Sequence, residues 1–473
     1  MSQSRPPADQ DAQRLYQSAG RLADLGRFDE AKRDYLAVIA RAPTHFGALN
    51  DLGTLLYRTD FRNAARTCYA EAVKHHPSNP VGHINLANAL LADGRSDEAR
   101  GHYAFALDLA PDHPDALQGM ANLLQDLGEA EAAETYRRRS YGAREIVRRP
   151  HRGAQTPCRV LELVSAVGGN VPTRYLLDQD RFDVSILAVE SRAATGHLPA
   201  HDLVFNAIGD ADLCAAALDA AAALLRRTQA PVINPPGRVR PTGRVEIAER
   251  LADLPGVITP KVVRTDRAGL ATAAQAFATP FLMRAPGFHT GRNFVRVDRR
   301  GDIEALAAGL PGDDLLLIQY LDARDGLGRS RKYRVMMIGG KLYPLHLAIS
   351  EDWKVHYFTA DMAERADHRA EEAAFLEDMD GVLGRRAVAG LAAIAGRLAL
   401  DYAGVDFGLS PDGDVLLFEA NATMVVNPPD PDPRWDYRRG PVERILAATK
   451  AMLQNRQSGQ GDTSQPTGPL VGE

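Results

Sequence analysis

At 473 residues the chain is too long for one hydrophobic core and should divide into two to four domains. Hydrophobic residues at 45% and charged residues at 25% are ordinary for a soluble globular protein, and the formal net charge of −5 gives no electrostatic case for a dedicated nucleic-acid binder, which usually shows a basic face or stripe. Cys68, Cys158 and Cys214 stand in no metal or redox spacing and read as reduced thiols.

The chain opens on the polar stretch "MSQSRPPADQ", which has no apolar core of a secretory leader. No uninterrupted apolar run approaches the length of a membrane span. A cytoplasmic enzyme or adaptor is therefore expected. Residues 11–142 repeat themselves: "LADLGRFDEAKRDYLAVIARAP", "LYRTDFRNAARTCYAEAVKHHP" and "LADGRSDEARGHYAFALDLAP" align without gaps. The turn recurs at Gly26, Asp60, Gly94 and Gly128, and a small residue at Ala31, Ala65, Ala99 and Ala133. Tyr35, Tyr69 and Tyr103 follow, and Pro43, Pro77 and Pro111 close three of the units. Glycine permits the turn, alanine lets two helices approach, and proline ends the second helix.

The spacing of 34 residues resembles the tetratricopeptide repeat, a helix–turn–helix unit that stacks into an all-α solenoid with a concave groove. The resemblance implies a peptide or protein segment as partner. Asn50, Asn85, Asn88 and Asn122, on first helices, either grip an extended backbone or merely solubilise the groove. The fourth unit loses the tyrosine register at Arg137, with Tyr136 beside it, and could cap the array. The basic run at 137–149 reads most simply as a solvated helix end.

A linker rich in Pro, Arg and Gly is expected at 143–157. Beyond it "RVLELVS" (159–165), "DVSILAV" (183–189) and "DLVFNAI" (202–208) read as buried parallel strands. With the helix at 213–229 and a strand in "PVINPP", they predict an open α/β sheet over 158–256. "VGGN" (167–170) follows the first strand as a lone glycine pair. Lys261, in "TPKV", would by itself be a surface charge.

"TPFLMRAPGFHTGRNFVRV" (279–297) reads strand, loop, strand, with Arg284 at a strand end and His289 in the loop. Such a loop can fold over phosphates, its N–H groups and Arg284 answering the charge. "LIQYLDARD" then leads to a hairpin turning at Gly339 and Gly340, in which Arg334 enters an otherwise apolar strand. A buried arginine there requires an anion. Finally, "AGVDFGLSPDGDVLLFEA" predicts a hairpin whose turn is "SPDGD", which brings Asp406 across from Glu419. Strand alternation places Leu417, Glu419 and Asn421 on one face. Two close carboxylates and an amide oxygen repel without a cation, and hard oxygen ligands suit Mg²⁺.

Taken in order, these motifs resemble the ATP-grasp superfamily, specifically glutathione synthetase-like carboxylate–amine ligases. The resemblance implies an α/β pre-ATP-grasp domain at 158–256, an α+β ATP-grasp domain at 257–454 and a disordered tail at 455–473. It implies ATP as nucleotide and Mg²⁺ or Mn²⁺ as metal, held by Asp406, Glu419 and Asn421. Lys261 and Arg284 would contact phosphates, although a lysine is commoner at the latter position. Backbone at Tyr320 and Leu321, beside Gln319, would bind adenine, and Asp322 or Asp325 the ribose. Arg334 and Lys354 would engage the γ-phosphate or an acyl-phosphate. Arg434, Trp435, Tyr437, Arg438 and Arg439 could line an acceptor pocket or pack their loop onto the domain.

The expected activity is ATP-dependent C–N bond formation on a peptide or protein held by the array, with a small-molecule or amino-acid co-substrate. No nucleic acid or membrane is expected as partner, and the oligomeric state stays open. A kinase of the same fold, or a scaffold with a decayed ATP site, are the alternatives. A ligase releases free phosphate only with both substrates present, whereas a kinase leaves it on the product.

Overall fold

The computed structural model describes residues 7–24, 27–59, 61–142, 146–287, 293–355, 357, 360–430 and 432–457. It forms two compact units, Met1–Arg144 and Glu145–Glu473.

The first unit is a helical repeat region: α1 (Pro7–Asp24), α2 (Phe28–Arg41), α3 (Phe46–Arg58), α4 (Arg62–His75), α5 (Pro80–Ala92), α6 (Ser96–Leu109), α7 (Pro114–Asp126) and α8 (Ala130–Gly142). Local chemistry sets the ends. Asn79 accepts the Val81 N–H at 3.0 Å while Pro80 occupies the first helical position, where a missing N–H leaves no bond unmade. Gly94 and Gly128 hold φ of +77° and +81°, which only glycine adopts freely; Gly26 and Asp60 lie outside the described residues. Ala31, Ala65, Ala99 and Ala133 are fully buried beside Tyr35, Tyr69 and Tyr103 in one core running the length of the unit. At Gly119 a Cβ would stand 2.3 Å from the Tyr103 ring, so the helix–ring approach needs glycine.

The second unit is mixed α/β, and its described residues form three sheets. The first has the order β1-β3-β2-β4-β5, from β1 (Val147–Arg149), β2 (Cys158–Val164), β3 (Phe182–Ala188), β4 (Leu203–Asn206) and β5 (Val232–Ile233). β2 to β5 are parallel, and they bury mostly apolar side chains, among them Val160, Leu161 and Leu163 on β2 and Leu203, Val204 and Phe205 on β4, as strands covered on both faces do. Helices α9 (Ala215–Leu225), α10 (Pro236–Val239) and α11 (Arg244–Leu251) follow. The expected linker at 143–157 contains β1, which pairs antiparallel with β3. The reason is electrostatic. Glu162 is buried within β2, and Arg149 reaches it at 2.5 Å, tying the segment to the sheet.

β6 (Val257–Ile258) leaves for the third sheet. The second sheet is an antiparallel lobe, β7-β10-β8-β9, built from β7 (Val262–Thr265), β8 (Phe281–Arg284), β9 (Phe294–Val297) and β10 (Leu315–Gln319). With α12 (Leu270–Ala274) and α13 (Ile303–Ala308) it encloses its own core around Phe277, Phe281 and Met283. The third sheet, β12-β11-β13-β14-β6, comprises β11 (Ser330–Ile338), β12 (Lys341–Ser350), β13 (Tyr402–Leu409) and β14 (Val415–Asn421) with β6. α14 (Ala366–Glu377), α15 (Met379–Leu398) and α16 (Arg439–Gln457) accompany it.

The expected domains 158–256 and 257–454 are not separated by a seam. Val160 and Phe182 share a core with Met336 and Tyr402, and Leu161 and Leu218 share another with Leu391 and Val405. Asn234 reinforces the join: its Nδ2 donates to Tyr402 O at 2.6 Å and its Oδ1 accepts the N–H groups of Asp401 and Tyr402. This accounts for the Asn in "INPP" in structural terms. Helix α16 continues to Gln457, past the expected start of the tail at 455; 458–473 lie outside the described residues. Among the described residues no helix is long and apolar enough to cross a membrane.

Candidate functional site

The β13–β14 hairpin turns through Ser410–Asp414, where Ser410 N–H reaches Asp414 O at 2.9 Å and Gly413 takes a φ of +79°. Its register pairs Asp406 with Glu419, and Phe418 is the extra residue of a bulge that follows at once. On the next strand Arg334 pairs with Asp406, and on the outer strand His346 pairs with Arg334, beside a second register shift. Four polar residues, His346, Arg334, Asp406 and Glu419, thus cross the sheet in one row. Bulges re-aim side chains, and both of these adjoin the row.

Within the row the charges are matched. Arg334 grips Asp406 through Nε at 2.5 Å and Nη2 at 2.8 Å, and Lys332 adds a third contact at 3.0 Å. Burial alone would raise the Asp406 pKa, but Arg334 and Lys332 override it and hold the carboxyl well below the usual range. The anion that Arg334 needs is therefore this carboxylate. Glu419 is likewise lowered, against its burial, chiefly by Arg244, whose Nη2 donates to Oε1 at 2.8 Å. Burial, reinforced by the nearby Arg244 charge, pushes Arg284 down to about 10 at the end of β8. Arg244 and Lys332 carry charge to the site although their motifs drew no assignment. Lys332 had a signal, because it lies two residues before Arg334 and so on the same strand face.

A cleft beside Glu419 and Asn421 is also lined by Asp210, Asp212, Arg244 and Ile318. Gly209 lets the Asp210 loop approach, since a Cβ there would stand 2.8 Å from the Ala422 backbone. "VGGN" supports this loop from behind: Gly169 O accepts the N–H groups of Gly209 and Asp210. A second cleft, of about 500 Å³, gathers Lys261, Phe277, Gln319, Tyr320, Asp322 and Arg324. The two adjoin through paired strands, because Val262 and Ile318 face each other in register while Lys261 and Gln319 continue them and exchange hydrogen bonds. Half-buried Leu321 follows Tyr320.

Asp325 is not in this cleft. Its carboxylate accepts from the Leu327 and Arg329 N–H groups and from Arg331, closing the loop before β11. Lys354 lies against β9, with Nζ 3.4 Å from Phe294 O, and is exposed. His289 lies outside the described residues. In the 430s loop, Tyr437 donates to the fully buried Glu372 at 2.6 Å and Arg438 lies 3.4 Å from it, so these two pack the loop down. Arg434 and Arg439 pair with Asp432 and Asp436 nearby, and Trp435 packs near Tyr357. In the repeat unit Asn85 donates to Asn50 at 2.7 Å, Tyr103 to Asn88 at 2.5 Å and Gln118 to Asn122 at 3.0 Å.

The chemistry of the donor set fits a hard divalent cation: two carboxylates and an amide, with Asp406 and Glu419 directly opposed. The amide as oriented donates Nδ2 to Glu419 Oε1 and turns Oδ1 to Thr423. Ligation through oxygen requires it to turn over, a choice that Asn amides leave open.

A tetratricopeptide repeat family model matches residues 16–80, 50–114 and 84–145. Protein O-mannosyl-transferase TMTC1 of Mus musculus is 40% identical over 63 residues, 13% of this chain and 7% of that protein. The chain thus spans a small fraction of the length of that curated relative. Among solved structures, a MamA fragment (41-end) from Desulfovibrio magneticus RS-1 is 22% identical, covering 27% of this chain and 71% of that one, with a TM-score of 0.25. The first tetratricopeptide unit of Spaghetti (RPAP3), bound to the HSP90 peptide SRMEEVD, is 21% identical, covering 25% and 94%, with a TM-score of 0.24. Residues 16–145 are a tetratricopeptide array, a class of protein-interaction module.

Proposed function

We propose that this chain is an ATP- and Mg²⁺-dependent carboxylate–amine ligase of the ATP-grasp type, acting on a peptide or protein recruited by its repeat array. The observation that carries the reading is the row of cross-paired polar side chains on the third sheet, Asp406 buried with Arg334 and Glu419 half-buried on either side of it, whose Glu419 end lines a cleft next to one large enough for a nucleoside. A hydrophobic row would hold the sheet as well or better, so the charges call for a use.

In this reading adenine lies against Tyr320 and the backbone of Tyr320 and Leu321. Asp322, which lines the cleft, holds the ribose in preference to Asp325. Lys261, Arg284, Arg244 and Arg334 face the phosphates. Asp406, Glu419 and Asn421 would hold Mg²⁺ or Mn²⁺, which neutralises phosphate oxygens when bound. A substrate carboxylate oxygen attacks the γ-phosphorus and the bond to ADP breaks, leaving an acyl-phosphate. The amine then attacks the acyl carbon, loses a proton and expels inorganic phosphate. The side chains position and neutralise charge; none need bond covalently to substrate. Lys354, whose Nζ lies 3.4 Å from Phe294 O on β9, lines neither cleft.

One observation favours a second reading, a repeat scaffold with a decayed nucleotide site: Asp406 is already neutralised by Arg334 and Lys332. Calorimetry with Mg·ATP separates the two. A saturable heat lost in Glu419→Gln supports the ligase, and no heat supports the scaffold. Incubation with ATP and fractionated extract, followed by mass spectrometry, then distinguishes coupling with loss of water from a phosphate increment, which would make the protein a kinase.

A further inference from the structure

The row does not end at Arg334. At its outer end His346 is buried in β12, and its Nδ1 has no hydrogen-bond partner among the described residues. Its ring packs on Tyr357, with centroids 4.8 Å apart. The Arg438 guanidinium packs on the same tyrosine ring at 4.4 Å. Arg438 Nε is also buried without a hydrogen-bond partner, its nearest anion being the ion-paired Glu372 Oε1 at 3.4 Å. Glu372 is otherwise engaged, accepting from Tyr437, Tyr357 and the Leu347 N–H. Two polar atoms without hydrogen bonds therefore border one half-buried tyrosine, with His346 two strands from Asp406, a separation of roughly 10 Å.

Buried polar atoms without partners are uncommon, and each asks what completes it. The surrounding charge answers in part. Lys332 and Arg334 lie between this corner and the rest of the row, and Asp406 spends its charge on them. Arg438 adds a permanent cation, and desolvation followed by the Arg334 charge keeps the His346 imidazole neutral. A neutral imidazole offers one N–H, and Arg438 Nε offers another. Two N–H donors in a corner where Lys332, Arg334 and Arg438 outnumber Asp406 and Glu372 match the two oxygens of a carboxylate.

We infer that His346 and Arg438, set over Tyr357 and braced by Glu372, form the subsite for the substrate carboxylate. This rests on the ligase reading. It assigns the carboxylate to the His346 end of the row and the nucleotide to the Glu419 end, with Arg334 between them.

The test uses acetate as a carboxylate probe on the full chain labelled with ¹⁵N at histidine. The His346 ring resonance is identified by its loss in His346→Gln. Acetate, titrated against chloride at constant ionic strength, should shift that resonance saturably, and Arg438→Lys should weaken the response roughly tenfold, since lysine lacks the guanidinium fork. Mg·ATP heats, measured on the same samples, should be unchanged by Arg438→Lys. No acetate response, an equal response in Arg438→Lys, or a response to inorganic phosphate alone would each overturn the assignment. Loss of Mg·ATP binding in the unsubstituted protein would instead overturn the ligase reading, so the two failures are distinct.

Discussion

The two units bury different things. The repeat array buries alanine, leucine and tyrosine, and nearly every buried position is apolar. The second unit buries Glu162, Arg284, His346, Glu372 and Asp406, each 7% exposed or less. An apolar core needs only shape, whereas a buried charge needs a partner at a set distance. The array is thus built for stability and surface, and the second unit gives up stability to hold charges in place.

The sharpest way to break that contrast is to remove one member of the row. Asp406→Ala leaves the half-buried Arg334 and Lys332 without their anion and should destabilise the second unit by about 3 kcal/mol, the lower end for a broken buried pair. Both tryptophans, Trp353 and Trp435, lie in that unit, so their fluorescence during urea unfolding reads it alone. Replacing all three groups, Lys332→Met with Arg334→Met and Asp406→Leu, should be neutral or stabilising by up to about 4 kcal/mol. Mg·ATP heats should vanish in the same variant. If the triple variant unfolds as readily as Asp406→Ala, the row holds the fold and is not a functional concession.

Acid offers a milder break. The Asp406 pKa is depressed in the folded state, so its contribution is complete above the unfolded value near 3.9 and drains away as pH falls below it. The fluorescence transition should therefore weaken below about pH 4, and Asp406→Asn should flatten that dependence. A dependence that is unchanged in Asp406→Asn would assign it to other carboxylates.

The same contrast explains what could be read in advance. The repeat is local: Gly94, Ala99 and Tyr103 stand within one hairpin, and their period marks the turn, the close approach and the packed ring. The Asp406–Glu419 register was legible because a short turn joins the two strands, although the bulge at Phe418 left no sign. Arg244 was not legible as Glu419's partner, because 175 residues separate them and only the packed sheet brings them together. Arg149 was hidden for the same reason, yet a glutamate inside the apolar "VLELV" was itself a sign that a cation must come from elsewhere.

Within the array the contrast predicts steric effects. Gly119→Ala forces a methyl to within 2.3 Å of the Tyr103 ring and should cost about 1–3 kcal/mol. Far-ultraviolet circular dichroism, weighted toward the helical unit, should register the loss while tryptophan fluorescence does not.

The smallest effect tests whether the array draws on local bonds as well as packing. The three first helices with described caps begin differently: α3 uses the His45 ring, α5 the Asn79 side chain, and α7 has no side-chain cap at His113. If the caps matter, Asn79→Ala removes the acceptor of the Val81 N–H and should cost about 1 kcal/mol, whereas Asn79→Asp should retain most of it. Hydrogen exchange along α5 reads this directly. Faster exchange at its first turn only, with the rest of the helix protected, means that packing against Tyr69 and Tyr103 governs the repeat. Faster exchange along all of α5 would mean that each repeat hangs on its own cap, and the uncapped α7 should then be the first helix of the array to open.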